Sequence, residues 1–577
     1  MELLVVVILA VVVIALATAI APKLGIAGPL ILVLIGAGVS LLPFVEIPEI
    51  DPEWILVGVL PPLLYSAAVS LPAIEFRRDF APIFGLSFLL VIVSSVVLGA
   101  FFMAVIPGIH PAIAVALGAI LSPTDAVATS IVKRLGVSRR VVTLLEGESL
   151  LNDATALVLL RTMVAAAAVT ATDIGSDTRL GFGFLPAFVW GVIAAVAVGW
   201  LVGYLNLRLR ALVQHSAATT AIGFVVPFIA YIPTEELGGS GLVAAVVAGI
   251  VTGQGAARWF GPEQRVSDEH NWRTVELVLE GAVFLVMGLE LKEIVGDNIE
   301  QHNGLGTGIG IAAAALGIVL VVRTAYVSFL VWVQSRRARH RRRGELEHLS
   351  ARMDRIAESG AVPEDHPRAR RFQAMRSRIA RSLGDLNYYQ ASPLGWKHGT
   401  VIVWAGMRGV VTLAAAQTLP REGTADRPLL IFIAFSVAIG SLMLQGFTLP
   451  WVVRALKLET TDADRLDRAE QSALDDELRE AAVAALGAPG LRRRDGSPFP
   501  PEVLEKVGAR LVDPPDDGAM SSVRDILELR LALIEAMRTR LVALSSGGGY
   551  STPALRHALA ELDADQLSLE LRLDDED

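Results

Sequence analysis

The sequence predicts an all-α polytopic membrane protein of about thirteen transmembrane helices in two inverted repeats, two of the helices discontinuous and crossing, with a soluble helical C-terminal tail. Three observations predict it. The first is composition: of 577 residues, 53% are hydrophobic and 19% charged, with a mean hydropathy of +0.54, whereas a soluble domain averages about 25% charged. The second is a recurrence of apolar segments about 20 residues long, the length that spans a hydrocarbon core about 30 Å thick. The third is an alternation of basic and acidic loops between them. The net charge of −9 describes no single part, because the acids gather in loops and in the tail. Absence of cysteine excludes a disulfide framework and a thiolate metal site.

Taken in order, the expected spans are 3–22, 25–43, 54–71, 81–106, 111–132, 143–168, 184–206, 216–232, 240–256, 272–293, 305–334, 398–419 and 428–452. The first is read as a span and not a secretory signal, because Glu2 precedes its apolar run where a signal carries positive charge. Alternate loops hold Lys23; Arg77 and Arg78; Lys133, Arg134, Arg139 and Arg140; Arg208 and Arg210; Arg258, Arg265 and Arg273; and an Arg-rich segment from Arg336. The intervening loops hold Glu46, Glu49, Asp51 and Glu53, then Asp173 and Asp177, Glu235 and Glu236, and Asp297 and Glu300. By the positive-inside rule the N-terminus lies outside and the C-terminus in the cytoplasm. The transmembrane domain is thus expected over 1–455. The connection over 335–397 opens with SRRARHRRR and is read as cytoplasmic, meeting anionic lipid headgroups rather than nucleic acid. The tail, 456–577, shows helical spacing in RAEQSALDDELREAAVAALG and VRDILELRLALIEAMRTRLVAL, divided by a linker at APGLRRRDGSPFPP.

A charge inside a span is costly and marks a pathway or an ion pair. Pro123 and then Asp125 interrupt the fifth span, and Gly406 and Gly409 flank Arg408 in the twelfth, so both are expected to unwind near mid-membrane. Unwound segments expose carbonyls and helix ends that coordinate cations. The sixth span carries Glu146, Glu148, Asn152 and Asp153. Asp125 and Asp153 are oxygen acceptors suited to a hard cation, and a proton competing for the same oxygens is itself a mechanism of exchange. Glu148 lies five residues before Asp153, about 140° around the helix, and needs its own partner. Arg408 is the expected counter-ion, in a permanent pair that holds the core. Asn152 is expected to tie the broken backbone of the neighbouring span. Glu280 is central in the tenth span; a structural bond to Arg323 in the next span and a part in the ion path both stand. No phosphate-binding loop, nucleophile elbow or His–Cys cluster occurs, so neither an enzyme nor a resident cofactor is expected.

These motifs carry a resemblance. LSPTDAVATSIVKRLGVSRRVVTLLEGESLLNDATALVL from Leu121, LPPLLYSAA from Leu60, GGSGLVAAVVAGIVTG from Gly238, FLVMGLELKE from Phe284 and GMRGVVTLAAA from Gly406 resemble the cation/proton antiporters of the bacterial NhaP type and the animal sodium/proton exchangers. The resemblance covers about 1–455. It implies a homodimer whose protomers each have a dimerisation part and a six-helix ion-transporting core moving like an elevator. It implies that Asp153 is the main ion and proton carrier. Thr124, through its carbonyl, and Asp125 and Ser149 complete the ion site, with Glu148 and Arg408 a structural pair. It also exposes a departure: where the family usually places an acid in the LPP helix, this chain has Ser66 after Tyr65, one negative charge fewer.

The expected function is therefore secondary active exchange of sodium, or of potassium or lithium, for protons across the plasma membrane. One dominant carboxylate carrying either species in turn makes the exchange electroneutral, in the service of pH and sodium homeostasis. A gated cation channel is the rival from another class, but filter rings and continuous pores suit it better than broken helices bearing carboxylates.

Overall fold

A backbone that leaves water must satisfy its own polar groups, and a helix does so within one segment. In the computed structural model the protein contains no strand among the described residues. These are residues 2–24, 27–43, 52–172, 184–213, 215–300, 304–340, 393–421, 424 and 426–458, with isolated positions between 349 and 389 and between 527 and 570. The acidic loop positions 46, 49, 51, 173 and 177, most of the 335–397 connection, the linker at 488–501 and the tail helix at 468–487 lie outside them, as does most of 523–544.

The chain opens with α1 (Glu2–Leu24), α2 (Gly28–Ser40) and α3 (Leu60–Ser70), the last continuing a wider helical stretch over Trp54–Val59. The short α4 (Ala73–Arg78) and α5 (Phe80–Phe84) lead into α6 (Leu90–Val105). Next come the half-helices α7 (Pro111–Leu121) and α8 (Val127–Arg134), then the long α9 (Arg139–Thr172). They are followed by α10 (Phe184–Leu212), α11 (Ser216–Glu236), α12 (Gly241–Trp259), α13 (Pro262–Leu289), α14 (Leu291–Glu300) and α15 (Leu305–His340). A second pair of half-helices, α16 (Trp396–Trp404) and α17 (Val410–Gln417), precedes α18 (Arg427–Leu456).

Local chemistry sets several of these starts. Pro111 occupies the first turn of α7, where its missing N–H costs nothing, and His110 Nδ1 accepts from Ala112 N at 3.3 Å. Ser240 caps α12 through Val243 N. Helices also run beyond the apolar windows: α13 begins at Pro262, because a charged first half with a proline start propagates as well as an apolar one.

Seven helical stretches among the described residues are long and apolar enough to cross a membrane: α1, Phe80–Val105, α9, α10, α11, α15 and α18. The half-helices fall short individually, as interrupted spans must. Large apolar side chains such as Leu4, Val5, Trp200, Phe329 and Trp451 face outward, an exterior suited to hydrocarbon and not to water. The protein is thus a multi-pass membrane protein. Burial grades the helices: the spanning window of α18 is 72% buried and that of α1 only 17%, which puts α18 central and α1 peripheral.

One continuous core joins α2, α6 to α9, α13 and α15 to α18. A smaller one gathers Tyr65, Ala195, Val226, Ala244 and Trp272. At one crossing the backbones themselves touch: a Cβ on Gly36 would sit 2.4 Å from Leu285 O, and one on Gly288 2.3 Å from Val33 O. Only glycine permits that approach, and it fixes α13 against α2. The chain divides into two compact units, Met1–Thr460 and Thr461–Asp577. In the second, Leu527, Ile534 and Leu569 are buried together.

Candidate functional site

The helix breaks fall where the sequence places its breakers. Pro123 lies in the gap between α7 and α8, and Gly406 and Gly409 bound the gap between α16 and α17. The two gaps meet: Asp125 N donates to Met407 O at 2.8 Å, one backbone bond between unwound segments. Each break leaves helix ends with unpaired groups, and charged side chains complete them. Asp125 Oδ1 accepts from Val127 N at 2.9 Å, placing negative charge at the start of α8. Arg408 Nε donates to Leu121 O, the last carbonyl of α7, at 3.0 Å, and its guanidinium also donates to Gly406 O. Arg323 on α15 does the same for α16, donating to Ile402 O at 2.9 and 3.1 Å.

Glu148 on α9 then organises the junction. Arg323 holds it through both terminal nitrogens, Nη2 to Oε2 at 2.8 Å, with both side chains almost fully buried. Thr124 Oγ1 donates to Glu148 Oε1 at 3.3 Å, and Asn152 Nδ2 donates to Thr124 Oγ1 at 2.7 Å. A relay of bonds thus runs from α15 through α9 into the first break and back to the residue beside Asp153. Asn152 binds the broken segment through a side chain rather than through its backbone. Its own Oδ1 is buried with no hydrogen-bond partner among the described residues.

Asp153 is 9% exposed, and among the described residues nothing donates a hydrogen bond to it. It lines a cavity of about 360 Å³ together with Thr124, Asp125 and Ser149. Glu146, Lys133 and Ser70 also line the cavity. Along α9, Asp153 lies between Glu146 on one side and Arg161 on the other. Beyond it, Arg161 ties α9 to α11 through an ion pair with Glu235 and a 3.4 Å bond to Tyr231. Among the described residues no three His, Cys, Asp or Glu side chains converge into a metal-holding group.

A model of the sodium/hydrogen exchanger transmembrane family matches residues 8–455. The chain belongs to the sodium/hydrogen exchanger family. An uncharacterized Na+/H+ exchanger of Mycobacterium tuberculosis is 28% identical over 561 residues, covering 94% of this chain and 91% of that protein. The Na+/H+ antiporter ApNhaP of Aphanothece halophytica is 26% identical, covering 76% and 71%. The structure of the sodium proton antiporter MjNhaP1 from Methanocaldococcus jannaschii superposes with a TM-score of 0.54 at 17% identity, over 80% of this chain and all of that one. The fold is therefore that of a sodium/proton antiporter.

In this exchanger-family chain the expected Glu148–Arg408 pair is not formed, nor is the Glu280–Arg323 bond that is one of the two readings of Glu280. Glu148 pairs with Arg323 and not with Arg408, because Arg408 sits inside the second break with Nε and Nη1 directed to carbonyls that the breaks expose. Arg323, spent on Glu148 and Ile402, makes no bond to Glu280. Glu280 instead lines the cavity, one turn from Glu276. Ser66, the position short of a negative charge, donates to Glu276 Oε1 at 2.5 Å. Glu276 is the residue that sequence reasoning undervalues: it shares one face with Glu280 at a spacing of four, but it lies near the end of the expected span 272–293, where an acid is a weak signal.

At the end of the transport unit that carries Lys133 and Arg134, Arg140 makes a buried ion pair with Asp79 at 2.9 Å. Tyr388, from the 335–397 connection, donates to Asp79 Oδ2 at 2.8 Å, and Arg140 lies 5.6 Å from the centre of its ring. Burial first, and then the charge of Asp79, push the Tyr388 phenol well above its ordinary range, so it stays a donor at any working pH.

Proposed function

We propose that the protein exchanges sodium for protons across the plasma membrane by alternating access, one for one and without net charge movement. The observation that carries this reading is Asp153: buried, with no hydrogen-bond donor among the described residues, lining a cavity beside two unwound helix segments. A carboxylate so placed is stabilised by a proton or by a small cation and by little else. Asp125, the Thr124 carbonyl and Ser149 are the further oxygens offered to the ion. When the cation enters, the proton leaves, and the loaded site carries similar charge in both directions. The relatives named as Na+/H+ antiporters support sodium as the cation.

In this reading Glu148, Asn152, Arg323 and Arg408 hold the crossing together and do not carry ions. The thirteen spans form two inverted repeats in a homodimer, N-terminus outside and C-terminus in the cytoplasm. The Arg-rich connection lies against anionic headgroups, and Lys133, which lines the cavity, lies on the cytoplasmic side. The transport serves pH and sodium homeostasis.

The test is made in proteoliposomes. An imposed sodium gradient moves protons in the wild type, without developing a membrane potential. Asp153→Asn abolishes the movement while eluting as a folded protein. Exchange by Asp153→Asn at the wild-type rate would sink the assignment, and initial rates with sodium, lithium and potassium tested singly identify the ion.

A further inference from the structure

The cavity has two walls of different origin. One is formed by the helix breaks, with Asp125, and by α9, with Asp153. The other is built by α3 and α13, and it also carries acids: Glu276 and Glu280 line the same cavity, one helical turn apart on α13. Glu276 is oriented by Ser66, itself only 4% exposed, whose hydroxyl donates to Oε1 at 2.5 Å. No donor to Glu280 is present among the described residues. The lining also holds Glu146, with Lys133 as its basic group. The four carboxylates of the two walls share one space without converging on a point. They do not form a single coordination sphere.

We propose that Glu280, with Glu276 positioned by Ser66, sets the affinity and selectivity of the cavity for its cation without carrying the proton. A narrow cleft lined by one sign of charge and walled by low dielectric raises the local concentration of the opposite sign. Removing one of those charges weakens cation occupancy while leaving the carrier carboxylate in place. The proposal rests on the exchange reading above, and deepens it by assigning the α13 wall to cation capture and the opposite wall to carriage.

The experiment measures equilibrium binding of radioactive sodium to the purified full-length protein and initial exchange rates in proteoliposomes. The variants are Glu280→Gln, Glu280→Asp, Glu276→Gln and Ser66→Ala. Glu280→Gln is expected to raise the sodium KM and the binding Kd by about fivefold, with kcat within about twofold, as expected when uniform binding is removed. Glu280→Asp restores most of the affinity. Ser66→Ala frees Glu276 and shifts the sodium-to-potassium preference with a smaller change in KM. The proposal is overturned if Glu280→Gln keeps its KM and Kd, or if it loses kcat at unchanged KM, which would make Glu280 structural or a proton carrier. Should Glu280→Gln not fold, Glu276→Gln is judged on the same two constants. A wild type that binds no sodium and exchanges none would defeat the exchange reading itself; a competent wild type with unaffected variants defeats only this inference.

Discussion

Removing the guanidinium of Arg323 should cost the fold more than any other single charge change at the junction. Arg323 and Glu148 are 2% and 1% exposed, so neither can exchange its partner for water. Truncating one member of a buried, bidentate pair leaves the other charge uncompensated, which costs about 3–5 kcal/mol. In Arg323→Met, the Glu148 carboxylate retains, among the described residues, only the Thr124 hydroxyl at 3.3 Å as a side-chain donor. Adding Glu148→Gln removes the stranded charge, so the double variant should recover about 2–4 kcal/mol of the summed single losses. The assay is a double-mutant cycle read by reversible SDS unfolding of the purified protein. A parallel cycle pairs Glu148→Gln with Arg408→Met. Arg408 donates to Leu121 O and Gly406 O and makes no direct bond to Glu148, so its coupling should be less than half as large. If Glu148 and Arg323 prove additive within about 0.5 kcal/mol, or if Arg408 is the stronger partner, the pairing derived from the geometry is wrong.

Two further outcomes follow from close contacts. A Cβ on Gly409 would lie 1.3 Å from Asp125 Oδ2, so Gly409→Ala must displace that carboxylate; we expect at least a tenfold loss of exchange rate in a protein that still elutes as folded. Tyr388→Phe deletes the 2.8 Å bond to buried Asp79, a hydrogen bond to a charged group worth about 1.5–3 kcal/mol. It should lower the melting temperature and speed trypsin cleavage of the 335–397 connection, and wild-type protection would refute the contact.

How much of this was legible beforehand depends on whether the signal was local. Pro123, Gly406 and Gly409 announce helix breaks through their own backbone chemistry, and the breaks lie there. Asp153, Asp125 and Glu148 were conspicuous because charge is rare within apolar runs. Partner choice was not local. Two central arginines were available to Glu148, and the sequence carries no measure of which helix passes nearer. Composition could not show that Arg408 would be consumed by carbonyls, because those carbonyls exist only once α7 and the second break are in place. Ser66 read as a deficit for the same reason: Glu276 stands 210 positions away along the chain. Helix length was likewise underread at α13, since a hydropathy window sees the apolar part of a helix and not its charged overhang.

The contact of Gly36 with Gly288 separates the freedoms of the cavity's two walls. Where peptide touches peptide there is no layer of side chains to repack, so α13 is held close against α2. The facing wall is joined instead by hydrogen bonds among half-helix ends, Asp125 N to Met407 O and the two arginine clasps. On the proposed exchange, a cation is counted by the carboxylates of that wall, Asp125 and Asp153. On the same proposal, altering the α13 wall would change how readily an ion boards, and leave the number exchanged per proton as it was.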